Sequence, residues 1–263
     1  MEIKDGNLGR IVAIANQKGG VGKTTTAINL AASLSLAEKD ILIIDADPQG
    51  NSTSGFGIDR DNLKETLYDV LVGRAGMEEV ITGTEVEKLS IVPSSIDLLG
   101  VEVEFVDRPE REAVLAGALR PIADRFEYII VDCPPSLGLL TLNALVAADS
   151  VLVPVQCEYY ALEGLGLLTR TINLVKDSYN PTLQIEGILL TMFDSRNSLS
   201  RQVAQEVKKH FGDVVYSTVI PRNVTLSEAP GFGKPVMLYD ARSRGAQSYL
   251  QLAKEILSEG CTR

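Results

Sequence analysis

The chain has 263 residues, of which 45% are apolar and 23% charged, and a formal net charge of −10; a sizeable core is expected, and general affinity for nucleic acid is not. Its three cysteines form no close pair and His210 is its only histidine, which excludes a disulfide framework, His-based metal clusters and histidine catalysis. Residues 1–10 are polar and mixed in charge, so no signal peptide is expected, and the most apolar stretch, residues 137–148, is too short to span a bilayer.

The apolar run at residues 11–15 predicts a strand, and Ala27, Leu30, Ala31 and Leu34 recur after it at helical spacing. Between them stand Asn16, Gln17, Lys18, Gly19, Gly20, Val21, Gly22, Lys23, Thr24 and Thr25. Strand, glycine-rich turn and helix is the setting of a phosphate-binding loop. Gly19, Gly20 and Gly22 let backbone N–H groups close on a polyphosphate, and the helix N-terminus adds partial positive charge. Lys23 is placed to neutralise the β- and γ-phosphates and the Thr24 hydroxyl to ligate Mg²⁺. The general template has Gly where this chain has Gln17, and a second lysine, Lys18, stands beside it.

Residues 41–44 predict a second strand, running into Asp45, Ala46, Asp47, Pro48, Gln49, Gly50 and Asn51. Two carboxylates at a strand end could face a metal-bound phosphate, although the segment is also ordinary loop punctuation. After a strand at 89–92, the run 128–131 ends in Asp132, the Walker-B arrangement for holding Mg²⁺, or a turn aspartate if taken alone. Further strands are expected at 151–155, 188–191 and 214–219, with Leu162, Leu165, Leu168, Ile172 and Val175 marking a helix between two of them. This alternation predicts an α/β fold: a single-domain P-loop NTPase over residues 1–263, its twisted sheet mostly parallel and helices on both faces. Asp45, Asp132 and Gln156 end strands, where open α/β sheets bind ligands. A last helix near 243–259 presents Ala246, Tyr249, Leu250, Ala253, Ile256 and Leu257 as a docking face. Charge is uneven: residues 190–263 carry 10 basic and 7 acidic side chains, so the last third is locally positive.

The loop from Lys18 to Thr24 resembles the deviant Walker A motif of the ParA/MinD group of ATPases, and Asp45 to Asn51 resembles the motif that follows it in ParA and Soj proteins. The resemblance extends over residues 155–164, 190–194, 220–224, 227–230 and 233–235, nearly the whole chain, and is closest to the short Soj type without an N-terminal DNA-binding extension. It implies a Mg²⁺-dependent ATPase whose two ATP-bound subunits face each other as a homodimer, with Lys18 crossing to the partner's phosphates. Asp47 matches the residue that positions or polarises the attacking water, and Asp132 serves Mg²⁺ indirectly. Lys18 to Thr25 would cradle ATP, Glu158 contact the ribose or phosphates of the opposite nucleotide, and Met192, Pro221 and Asn223 lie near the adenine. An Asn-Lys-x-Asp guanine-reading motif does not occur, which favours ATP over GTP.

The resemblance further implies non-specific double-stranded DNA binding through basic residues of the last third, with Arg196, Arg222 and Lys234 the first candidates, and Arg201, Lys208, Arg242 and Arg244 also there. Hydrolysis would be stimulated by a ParB-type centromere-binding partner, and the protein would work in the cytoplasm on the nucleoid, partitioning chromosome or plasmid origins. The alternative is a MinD-like membrane-cycling ATPase that positions division machinery. It should end in a basic amphipathic helix, whereas the last helix here reads as core packing, so no membrane partner is expected. An iron-protein-like redox role would need bridging thiolates, and Cys133 beside Asp132 is a poor match.

Overall fold

A computed structural model describes residues 9–260. Its eight strands form one sheet: β1 (Arg10–Ile14), β2 (Ile41–Asp45), β3 (Thr82–Gly83), β4 (Leu89–Val92), β5 (Tyr128–Asp132), β6 (Ser150–Gln156), β7 (Gln184–Phe193) and β8 (Val215–Pro221). The order is β3-β4-β2-β5-β1-β6-β7-β8, and every pairing is parallel except the antiparallel β3–β4 edge. The seven expected strands are present with ends shifted by a few residues at most. Two-residue β3 was not anticipated, because Thr82 and Gly83 are too few to carry an alternation.

Strands buried on both faces read as continuous apolar runs, and β2 is buried at all five positions. Successive side chains point to opposite faces, so the sheet splits its residues between two cores. Ala13, Leu42, Ile44, Ile129 and Val131 join one core, and Val12, Ile14, Ile41, Ile43 and Ile130 join the other. The first core is covered by α2 (Leu139–Ala147), α3 (Ala161–Ser178) and α4 (Ser198–Phe211) through residues such as Leu145, Leu168 and Val207. The second is covered by α1 (Lys23–Leu36) and α5 (Arg244–Gly260) through Leu30, Leu34, Tyr249 and Ile256. Helices therefore lie on both faces, as the alternation of elements predicts.

α5 buries Ala246, Tyr249, Leu252, Ala253 and Ile256, while Leu250 and Leu257 are only half-buried; Leu252 was missing from the expected face. His210 is exposed, as expected of a solvated residue, and Cys261 lies outside the described residues.

Gly57, just past the short helix Asn51–Gly55, and Gly233 in the segment before Pro235 meet backbone to backbone. Gly233 has φ +65°, and a Cβ added there would stand 2.5 Å from the Gly57 Cα. Gly233→Ala is expected to lower the midpoint of urea denaturation. The left-handed backbone contributes about 1–2 kcal/mol, and overpacking about 1–3 kcal/mol more. A loss no larger than the left-handed backbone accounts for would mean that the two segments do not touch in solution.

Candidate functional site

The glycine-rich loop connects the carboxyl end of β1 to α1 at the middle of the sheet, where strand order reverses and open α/β folds hold ligands. Long-range hydrogen bonds fix its path. Asn16 Nδ2 donates to the Pro154 carbonyl (2.7 Å), and Asn16 Oδ1 accepts from the Lys18 N–H (3.0 Å). Thr191 Oγ1 donates to the Val21 carbonyl (2.8 Å), so β6 and β7 both hold the loop. Gly20 and Gly22 have φ of +73° and +91°, turning the chain into α1. Gly19 and Gly20 are exposed at the crest, and Thr24 and Thr25 are half-buried.

Lys23 is only 6% exposed, and its Nζ donates to the Lys18 carbonyl (3.1 Å). Burial pulls its ammonium below the usual lysine range, while the charges of Asp132, Cys133 and Asp47 work the other way. Among the described residues the ammonium makes no ion pair within 4.0 Å, and its hydrogen bond points back across an open glycine loop.

The acids divide into different roles. Asp45 and Asp132 are register partners on adjacent strands β2 and β5, and both are sealed from solvent. Asp45 Oδ2 accepts from the Thr53 N–H (2.7 Å) and hydroxyl (2.6 Å), and its Oδ1 accepts from the Asp47 N–H (3.3 Å). Its carboxyl is thus committed to internal bonds and anchors the following helix, so only Asp47 of the pair remains for a bound phosphate. Asp132 Oδ2 accepts from the Ser52 hydroxyl (2.8 Å), while its Oδ1 is buried with no partner. Burial pushes the Asp132 carboxyl up to about 7, the neighbouring Asp45 adds to this, and the Ser52 and Thr24 hydroxyls oppose it. Asp47 is 7% exposed; its Oδ1 accepts from the Gln49 N–H (2.9 Å) and its carbonyl from the Ser94 hydroxyl (2.5 Å).

Beside the loop opens a cavity of about 600 Å³ that brings Thr24, Thr25, Met192, Pro221 and Asn223 together. Asn223 Oδ1 is buried without a hydrogen-bond partner. Ile28 and Tyr249 supply apolar wall, and the Tyr249 hydroxyl shares a hydrogen bond with Thr26 Oγ1 (3.1 Å). An orphaned carboxylate oxygen, an orphaned amide oxygen, a buried ammonium and a glycine loop fit a nucleoside polyphosphate carrying a divalent cation. Among the described residues there is no group of three or more His, Cys, Asp or Glu able to hold a metal. A cation here would take most of its oxygens from phosphate and water, as Mg²⁺ does.

Lys18 and Glu158 form an ion pair at the rim, their side chains 41% and 35% exposed. Glu158 therefore meets Lys18 of its own chain. Arg196 is 89% exposed and clasps Asp194 with Nε and Nη2 (3.1 and 3.0 Å), which holds the Asp194 carboxyl down at about 2. Arg222 also faces Asp194 electrostatically, is exposed, and lines the cavity edge, while Lys234 is half-buried and sits apart in the 233–235 segment. Cys133 is fully buried, and burial pushes its thiol far up, so it is not available to bridge a cluster. Ser52, Thr53 and Ser94 complete the site without any motif to announce them, while Thr191, within the 190–194 stretch, and Tyr249, on the docking face of the last helix, were not read as site residues.

A family model described as an AAA domain matches residues 9–185. The chromosome partitioning protein ParA of Myxococcus xanthus is 58% identical over 250 residues, spanning 95% of this chain and 88% of that protein. The sporulation initiation inhibitor protein Soj of Bacillus subtilis is 56% identical over 253 residues, 96% of this chain and 100% of that one. Among solved structures, the cobyrinic acid a,c-diamide synthase of Mycobacterium smegmatis, with bound ATP analog and magnesium, has a TM-score of 0.84 and 38% identity, each chain covered to 95%.

Proposed function

Because the chain belongs to the ParA/Soj family of chromosome-partitioning ATPases, we propose that it hydrolyses Mg²⁺-ATP and uses the nucleotide to switch a DNA-bound homodimer on and off. The observation that carries this reading is the convergence of Lys23, Asp47 and Asp132, all buried, beneath a glycine loop with Lys18 at its rim. The loop N–H groups and Lys23 hold the β- and γ-phosphates, and Met192, Pro221 and Asn223 receive the base. Thr24 would hold Mg²⁺ and Asp132 would serve it indirectly, its buried Oδ1 having no hydrogen-bond partner within the protein. When bound, Mg²⁺ would neutralise charge developing on the phosphates. Asp47 orients the attacking water. Lys18 leaves Glu158 and reaches the phosphates of the facing subunit, so hydrolysis is completed only between two chains.

Residues 1–263 act as one ATPase domain. Arg196, Arg222 and Lys234 contact DNA phosphates without reading sequence, and a dimer presents two such patches at once. A ParB-type partner stimulates turnover and releases the dimer from the nucleoid. The membrane-cycling alternative gains no support from α5, whose apolar face lies on α1 and β8. No helix among the described residues is long and apolar enough to cross a membrane.

Size-exclusion chromatography and DNA binding of wild type and Asp47→Ala, each with ATP and with ADP, test the reading. Asp47→Ala with ATP is expected to remain a DNA-bound dimer. Wild type with ADP is expected to be monomeric and released. Phosphate release by Asp47→Ala at the parent rate, or no effect of ATP on size and DNA affinity, would overturn it.

A further inference from the structure

We propose that Arg60, on the short 3-10 helix Arg60–Asn62, is a positioning residue that sets the aim of Asp47. The inference rests on the reading of the site as one that hydrolyses ATP. Arg60 Nη1 donates to the Gln49 carbonyl (2.5 Å) and Nη2 to the Pro48 carbonyl (3.3 Å). Ser94 Oγ donates to the next carbonyl back, that of Asp47 (2.5 Å). Three consecutive carbonyls of the loop that carries the water-orienting acid are thus held by two side chains from outside it. The guanidinium also lies against Gly50, where an added Cβ would stand 2.6 Å from Arg60 Cζ.

The choice of partners matters. Arg60 lines a polar cavity of about 870 Å³ together with Asp59, Asp61, Asp69 and Asp97. Yet among the described residues it makes no ion pair within 4.0 Å. This half-buried arginine, sharing a cavity with four carboxylates, gives its planar fork to backbone oxygens instead. Its own turn is braced: Asp59 accepts from the Asp61 N–H (3.1 Å) and from Asn62 Nδ2 (2.6 Å).

The consequence falls on Asp47. Its Oδ1 is turned onto the Gln49 N–H, so the carboxylate takes its direction from the same loop that Arg60 grips. Releasing that loop lets the acid rotate without touching Lys23, Thr24 or the base cavity. Rate should suffer while binding does not, since a misplacement of about 1 Å can cost roughly 100-fold.

ATP turnover, KM, affinity for a fluorescent ATP analogue and thermal midpoint are compared for wild type, Arg60→Ala, Arg60→Lys, Asp47→Ala and the Arg60→Ala/Asp47→Ala double variant. Arg60→Ala is expected to lower kcat roughly 10–100-fold with KM, affinity and midpoint unchanged. Arg60→Lys, with one ammonium to offer a carbonyl, should recover part of the loss. The double variant should be no slower than Asp47→Ala alone, because Arg60 acts through Asp47. Wild-type turnover by Arg60→Ala, a rise in KM that accounts for the lost rate, or losses that multiply in the double variant would overturn the inference alone. A wild type that releases no phosphate from ATP would sink the ATPase reading and this inference with it.

Discussion

Lys18→Ala is expected to bind ATP as the parent chain does, yet to stay monomeric with ATP and to lose turnover by roughly 10³-fold or more, the effect of a charge supplied across an interface. The argument lies in what each part of Lys18 does. Its N–H is held by Asn16 Oδ1 and its carbonyl by Lys23 Nζ, so alanine keeps both backbone contacts and the shape of the loop. Only the side chain is removed, and in this structure it touches Glu158 at the rim rather than the phosphate cradle. An ion pair with both partners about a third or more exposed contributes only about 0–1 kcal/mol, so its release is a small cost for the incoming phosphates to offset. Glu158→Gln supplies the opposing control: it frees Lys18 and should dimerise with ATP at least as readily as wild type. Light scattering after size exclusion, with phosphate release, measures both. A Lys18→Ala chain that dimerises and turns over normally would remove the lysine from the mechanism.

Asp132→Asn is expected to stabilise the nucleotide-free protein while lowering Mg²⁺-ATP turnover by roughly 100-fold or more, the scale seen when a transition-state charge partner is lost. Burial raises the Asp132 carboxyl to about 7, above the roughly 3.9 of an unfolded aspartate. The folded chain therefore binds more protons than the unfolded chain between about 4 and 7. Stability contributed by the protonated form is fully present below that window and is lost as pH rises through it. The substituted amide keeps an acceptor for the Ser52 hydroxyl and carries no charge, so at pH 8 the variant should gain about 1–3 kcal/mol: the roughly 4 kcal/mol of ionising the buried carboxyl less the cost of its own unpaired buried amide N–H. Urea denaturation at pH 5 and pH 8 measures the difference. Loss of stability at pH 8 would mean that Asp132 is better solvated than its sealed Oδ1 implies, and undiminished turnover would remove it from the metal's shell.

What the sequence made legible was what depends on neighbours in the chain. Parallel strands buried on both faces print as apolar runs, and seven of them could be located. A glycine loop needs its glycines close beside Lys23 and Thr24, so it too was readable. What holds the site is not local. Ser52 reaches Asp132 across 80 positions, and Thr191 reaches Val21 across 170. A serine or threonine at such a distance has no spacing to betray it. Position at a strand end did not tell Asp45 from Asp47; the resemblance singled out Asp47, and the folded hydrogen bonds to Thr53 make Asp45 an anchor. Helix Asn51–Gly55 was hidden for a different reason: Pro48, Gln49 and Gly50 read as turn chemistry, and five residues are too few for a helical period to emerge. The basic last third was visible as composition, but its division into Arg196 clasped by Asp194 and Arg222 at the cavity edge was not.

The bare contact between Gly57 and Gly233 leaves no side chain between the two segments that carry them. Residues 47–60 carry the acid, the short helix and the arginine in one continuous stretch, and Gly57 is the point where that stretch bears on the segment holding Lys234. A side chain at either position would act as a cushion and absorb small movements by changing rotamer. Backbone against backbone absorbs none. Neither segment can therefore shift at this point without displacing the other.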